Sequence, residues 1–181
     1  MTDSAPATAV ILNGSSGVGK SRTLQELGAL LAERGQSHAL VDLDFLTLSW
    51  PRPQDDRWGS RIAYENLASV TENYRRSGIA RFAVAHVFTD RANLADCRAA
   101  LGAASASQAP LIRLRASRAV VEQRLRTRHA TEAPWELEGF LAGHEDLSRA
   151  LDEAALDDHV IDVDALTPRE VAERVADAAG W

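Results

Sequence analysis

The stretch ILNGSSGVGKS, from Ile11 to Ser21, constrains this 181-residue chain more than any other. The apolar run AVILN (Ala9 to Asn13) reads as a short buried strand that ends at a glycine. After the turn, Leu24, Leu27, Leu30 and Leu31 recur at helical spacing until Gly35 stops them. Between strand and helix stand Gly14, four further residues, then Gly19, Lys20 and Ser21. Glycines at these positions let the backbone wrap so that successive N–H groups face an anion at a helix N-terminus. Lys and Arg total 20, and Lys20 is the one lysine, so the other nineteen are arginines. A compact, flexible point charge reaches terminal phosphates in a loop too narrow for a guanidinium fork, a physical reason for a lysine-poor chain to keep one here. Gly14, Ser15, Ser16, Gly17, Val18, Gly19, Lys20, Ser21 and Arg22 are the candidate nucleotide-phosphate residues, with Ser21 offering its hydroxyl to Mg2+. The plainer alternative is an ordinary glycine-rich turn.

The rest of the chain repeats the alternation. HALVDLD, RFAVAHVF, LIRLR and HVIDVD read as strands, and RIAYENLASVTENYRRSG, DRANLADCRAALG, SRAVVEQRLRTRH and TPREVAERVADAAG as helices. In the last helix Thr167 caps, Pro168 takes the first position and Glu170 completes a capping box. Ser117 caps the helix before it, and GAASASQAP is a surface connection. Parallel neighbours need crossover connections, so this order predicts an α/β fold: a five-stranded parallel sheet with helices on both faces, in the three-layer αβα arrangement of P-loop NTPases. With 45% hydrophobic side chains, 181 residues make one core, and 1–181 reads as a single domain. Ligands of such sheets sit beyond the carboxyl ends of the strands.

VDLD places Asp42 and Asp44 at the end of the second strand, two apart, so that in an extended chain both face one side of the cleft. Phosphoryl transfer needs one carboxylate to orient the acceptor hydroxyl and take its proton late, and another to hold the waters of Mg2+. Asp44 takes the first role and Asp42 the second; two solvated acids in a turn are the alternative. The third strand ends on Ala85 and His86 without an acid, so no Walker B carboxylate is visible there. His86 is either a substrate or phosphate contact or a buried histidine satisfied by backbone. Asp90 reads most simply as an N-cap. Arg124 and Arg128 lie four apart on one helical face, where both guanidiniums can address charge developing on the transferred phosphoryl, while Arg126 faces elsewhere. Arg128 is the better lid candidate; attraction to Glu122 and to the helix C-terminus is the competing account.

These residues resemble the small P-loop kinases that phosphorylate hydroxyls: adenylylsulfate, shikimate and gluconate kinases and chloramphenicol phosphotransferase. NGSSGVGKS looks like their phosphate loop, and VDLD resembles the Asp-x-Asp of adenylylsulfate and shikimate kinases. DFLTLSWP is similar to the segment carrying the catalytic aspartate of chloramphenicol phosphotransferase, matching Asp44, and LIRLRASRAVVEQRLRTRH to the strand and helix that lead into the lid. The resemblance implies transfer from ATP, with Mg2+, to a small-molecule hydroxyl substrate.

LSWPRPQDDRWGSRIAYENL lies in the expected substrate-binding region, 45–78, and offers Trp50, Trp58, Arg61, Tyr64 and Asn66 as stacking surfaces, polar tips and a cation. Substrate contacts fall to Asp44, Trp58, Arg61 and His86. The alternative packs the aromatics on the sheet, more so for Tyr74 than for Tyr64. The lid is expected in 129–150, where Trp135, Leu137, Phe140 and Leu141 form an apolar helical face. Formal charge is −6 with the arginines scattered, so neither nucleic acid nor a membrane is the expected partner. One cysteine, Cys97, and the absence of a long apolar run or a basic leader fit a cytoplasmic protein, monomer or homodimer. The alternative function is a nucleotide-binding regulatory or resistance protein that phosphorylates no metabolite. An antibiotic, a sugar acid, a nucleoside and a sulfated nucleotide all remain open as acceptor.

Overall fold

β1 (Ala9–Asn13) is buried over its whole length, which is why it reads as an unbroken apolar run and not as an alternation. The computed structural model describes residues 8–52, 54–56, 58–128 and 134–181, the side chains of 128 and 134–137 excepted. β1 is the middle strand of one parallel sheet with β2 (Ala39–Asp42), β3 (Phe82–Ala85), β4 (Leu111–Arg115) and β5 (His159–Asp162), in the order β2-β3-β1-β4-β5. Leu12 sits beside Ala85 on one side and Ile112 on the other; β3 ends at that level, while β4 runs two residues past the partner of Asn13. β2 pairs with β3 in the same sense, Asp42 opposite Ala85. The expected α/β three-layer arrangement is the observed one.

The period of two along β1 sorts the core into two layers. Val10 and Leu12 pack with α1 (Lys20–Glu33) and α7 (Pro168–Ala179), through Leu24, Leu27, Leu31, Val171 and Val175. Ala9 and Ile11 face α3 (Ser60–Arg76) and α4 (Arg91–Ala100), through Ala63, Leu67, Leu94 and Cys97. α5 (Arg118–Arg128) adds Val121 and Leu125 to the first layer, and α6 (Pro134–Ala154) adds Leu141. The capping box of α7 is present: Thr167 Oγ1 accepts from the Glu170 N–H, and Glu170 Oε2 accepts from the Thr167 N–H at 2.8 Å. No helix among the described residues is long and apolar enough to cross a membrane.

Two expectations need correction. Asp44 does not lie in an extended chain: β2 stops at Asp42, whose side chain accepts from the Asp44 N–H at 3.2 Å and caps a short helix, α2 (Leu43–Leu46). An aspartate at an N-cap competes with strand continuation by satisfying an orphan donor, and the helix wins here. Among the aromatics of α3, Tyr64 is buried against the sheet while Tyr74 is exposed, the reverse of the expected order. Of the apolar face expected on α6, Leu141 is buried and Phe140 is 41% exposed; Trp135 and Leu137 have side chains outside the described set.

Candidate active site

The loop after β1 is shaped by glycines that no other residue replaces. Gly14 has φ +137°, and a Cβ there falls 2.6 Å from the Leu114 carbonyl oxygen; Gly17 has φ +82°, with Val121 Cγ1 at 2.8 Å from such a Cβ. The loop therefore lies flat on β4 and α5, its N–H groups leading into the first turn of α1. Lys20 folds back over it, its Nζ donating to the carbonyls of Gly14 at 2.7 Å and Ser15 at 3.2 Å. Burial lowers the pKa of Lys20, and the charges of Asp44 and Asp42 act against that.

Two carboxylates converge on this loop by different routes. Asp42 uses Oδ1 to cap α2 and Oδ2 to accept from the Ser21 hydroxyl at 2.8 Å. Asp44 Oδ1 lies 2.9 Å from His86 Nδ1, directly beyond β3. The His86 hydrogen bond is the main reason the Asp44 carboxyl titrates below the ordinary carboxylate value; partial burial opposes it, and the charges of His86 and Lys20 add to it. The helical turn of α2 thus separates the two acids by function: one meets Ser21, the other is held by histidine. His86 packs edge-on against Phe88, with ring centroids 5.3 Å apart.

A cavity of about 840 Å³ spans the loop and these acids, within the size range of small-molecule sites. Arg124, Val163, Leu166, Pro168 and Val171 line it, as do Phe45 and Phe140. Arg124 donates to the carbonyl of Val18 at 2.8 Å, clasping the loop from α5. Arg126 turns away as expected and pairs with Glu122. The side chain of Arg128 lies outside the described set. Asp90 caps α4, its Oδ1 accepting from the Asn93 N–H at 2.9 Å. The substrate candidates do not all meet: Arg61 is bidentate on Asp55, at 2.8 and 3.4 Å, and neither it nor exposed Trp58 lines the cavity.

Several residues at the site escaped sequence reasoning. Asn13, fully buried, makes four hydrogen bonds: Oδ1 accepts from the N–H groups of Gly14 and Phe88, and Nδ2 donates to the Phe88 carbonyl and to Asp157. It fastens the start of the loop to the segment that follows β3. Ser15, read as a phosphate contact, turns its hydroxyl inward to His144 of α6 at 2.8 Å, leaving its backbone to the loop. The wall at Val163 to Val171 follows β5 at the carboxyl edge, where topology alone places it.

No protein-family model matches this chain, and neither does any curated protein. Solved structures do. A tunicamycin resistance protein of Deinococcus radiodurans superposes with a TM-score of 0.63 at 21% identity, covering 96% of each chain. A gluconokinase of Sinorhizobium meliloti 1021 gives 0.58 at 19%, over 97% of this chain and 92% of its own. The shikimate kinase of Acinetobacter baumannii in complex with shikimate gives 0.57 at 18%, over 96% and 92%. The fold is that of the small P-loop kinases. At these identities the likeness fixes the architecture, and the chemistry has to be argued from the side chains.

Proposed function

We propose that this protein transfers the terminal phosphoryl group of ATP, with Mg2+, to a hydroxyl of a small molecule. The observation that carries the reading is the convergence on one cavity of Lys20, the Ser21–Asp42 pair and Asp44, which His86 holds from behind the lining. The loop backbone and Lys20 hold the phosphates, and Arg22 and Arg124 flank them. Ser21 and Asp42 already stand together and present hard oxygen donors, the ligand class Mg2+ takes. Ser21 and Asp42 would hold a magnesium ion there, which would supply positive charge against the phosphate oxygens. In the transfer, the acceptor oxygen forms its bond to phosphorus as the bond to the bridging oxygen of ADP breaks. The hydroxyl proton passes to Asp44. A carboxylate held below its ordinary pKa is ionised at neutral pH and accepts that proton late, as a loose transition state requires. His86 holds one Asp44 oxygen, which leaves the other for the acceptor. Arg128, at the end of the helix that leads into the lid region 129–150, supplies a positive charge.

Residues 45–78 form the acceptor side in this reading. Phe45, 72% exposed beside Asp44, and Phe140 give the acceptor apolar surface, and Arg61 reaches an acceptor only by leaving Asp55. The test is ADP release with Mg2+ across a panel of sugar acids, nucleosides and hydroxylated antibiotics. Stimulation by one class, abolished by Asp44→Asn, supports transfer. Turnover insensitive to every acceptor supports the regulatory alternative instead.

A further inference from the structure

We infer that His144 is a positioning residue that latches α6 to the phosphate loop through the Ser15 hydroxyl, and that only the neutral imidazole makes the latch. The inference rests on the nucleotide-binding reading of the loop and adds a residue that no motif contains. Ser15 is 2% exposed and His144 3%, and Nδ1 stands 2.8 Å from Ser15 Oγ. Ser148, one turn further along α6, donates its hydroxyl to the same Oγ at 3.3 Å. A hydroxyl that receives this bond has its own proton left to give, and His144 Nδ1 is the acceptor in reach. The chain therefore runs from Ser148 to Ser15 to imidazole nitrogen, and it needs the tautomer with Nδ1 bare.

The latch belongs to a larger circuit. Arg113 of β4, itself buried, donates to the Ser148 carbonyl at 3.1 Å and to Asp152 at 2.7 Å, and lies 3.8 Å from Asp157. Asp157 accepts from Asn13 at 2.9 Å, and Asn13 accepts from the Gly14 N–H at 2.9 Å. Polar groups thus run from loop residue 14, through β4 and α6, back to loop residue 15. Buried networks of this kind fix one arrangement because each member left unpaired is costly. Phe140 stands on α6 four residues before His144, one turn away on the same face, and lines the cavity. A shift of α6 that moves this wall also pulls on Ser15, and a nucleotide that sets the loop also sets α6.

Protonation removes the acceptor that the Ser15 hydroxyl proton uses. With Nδ1–H as a donor, Ser15 Oγ receives two hydrogens and must turn its own elsewhere. The groups facing His144 are Ser15 and the Ser16 backbone from the loop, Glu145 and Ser148 from α6, and Arg118 from α5, which is paired with Glu145 at 2.5 Å. Arg113 reaches it only through the Ser148 carbonyl. Burial is the largest effect and lowers the pKa of His144; Arg118 acts the same way, while the Ser16 backbone and Glu145 oppose it. The latch is intact above that lowered value and is lost as pH falls through it.

The test is titration of the whole protein with a fluorescent N-methylanthraniloyl ATP and Mg2+. His144→Leu and Ser15→Ala are each expected to weaken binding about tenfold, the scale of one buried hydrogen bond. The double variant is expected to bind no more weakly than either single one. His144→Asn keeps an acceptor near the Nδ1 position and is expected within about threefold of the wild type. Between pH 7 and 5 the affinity ratio of wild type to His144→Asn is expected to fall, a ratio that cancels titration of the nucleotide itself. Additive losses in the double variant, or a ratio flat with pH, overturn the latch. Should His144→Leu fail to fold, Ser15→Ala and the pH ratio still decide. Wild-type protein that binds no nucleotide refutes the reading beneath the inference, and the inference with it.

Discussion

Replacing Asn13 by alanine removes a side chain that joins the loop after β1, the segment after β3 and Asp157. Four hydrogen bonds disappear together: two from the N–H groups of Gly14 and Phe88, one to the Phe88 carbonyl and one to Asp157. The partners stay where they are, because Gly14 is held against Leu114 and the Phe88 ring is buried. An unsatisfied buried partner costs on the order of 1–3 kcal/mol, and water entering from the adjacent cavity relieves the one in the loop, the Gly14 N–H. About 1 kcal/mol for each of three partners gives a loss of roughly 3 kcal/mol. For a chain of this size 1 kcal/mol moves Tm by about 2–4 °C, so the expected drop is roughly 6–12 °C. Calorimetry with and without ATP and Mg2+ measures it. The stabilisation given by nucleotide is also expected to shrink, because the loop it grips has lost its anchor. A drop below about 2 °C, with the nucleotide effect intact, refutes the claim that Asn13 organises the loop.

Asp44→Asn keeps a hydrogen-bonding oxygen for His86 but no proton acceptor, so acceptor-dependent ADP release is expected to fall roughly 10²–10⁴-fold with ATP affinity unchanged. Loss of ATP affinity in titration would place Asp44 on the nucleotide instead. In the unaltered protein the activity limb set by Asp44 lies on the acid side of the ordinary carboxylate value, because His86 lowers its pKa; a pH–rate profile whose acid limb sits above that value contradicts the pairing. Lys20→Ala and Lys20→Arg are both expected to abolish transfer while circular dichroism stays unchanged, and near-normal turnover in either sinks the phosphate-loop assignment. Arg124→Ala, which loses the Val18 carbonyl, is expected to raise the ATP requirement about tenfold, whereas Arg126→Ala changes it less than about twofold because its exposed guanidinium pairs with half-buried Glu122 away from the loop.

Where the sequence was legible, a local rule and the tertiary structure agreed. The strand, glycine loop and helix from Ala9 to Glu33 need only period and turn chemistry, and so does the capping box at Thr167. The misreading at Asp44 came from a local conflict: DLDFL has the alternation of a strand end, yet Asp42 also meets the requirement for an N-cap, and the cap ended the strand two residues early. That change brings Asp44 to His86, a contact 42 residues apart that period carries no information about.

The residues that escaped notice share a different physical property. Leu141, His144, Ser148 and Leu151 follow one another at spacings of three and four, which puts two polar side chains on the buried stripe of α6. Arg113 stands likewise among apolar neighbours in the buried strand LIRLR. A buried polar group requires a partner, so each of these positions announces an interaction even though the sequence does not say with what. The partners are supplied by topology: β4 lies next to β1, and α6 returns the chain across the phosphate loop. The proposed phosphate-binding residues are recognised because their chemistry is confined to eight consecutive positions. The residues that hold those eight in place are recruited from β4, α6 and the segment after it, 100 to 144 positions away, where only their polarity on an apolar face marks them. Polar side chains on apolar stripes are therefore the feature to read next once a phosphate loop is in hand, and in this chain they lead from Ser15 to His144.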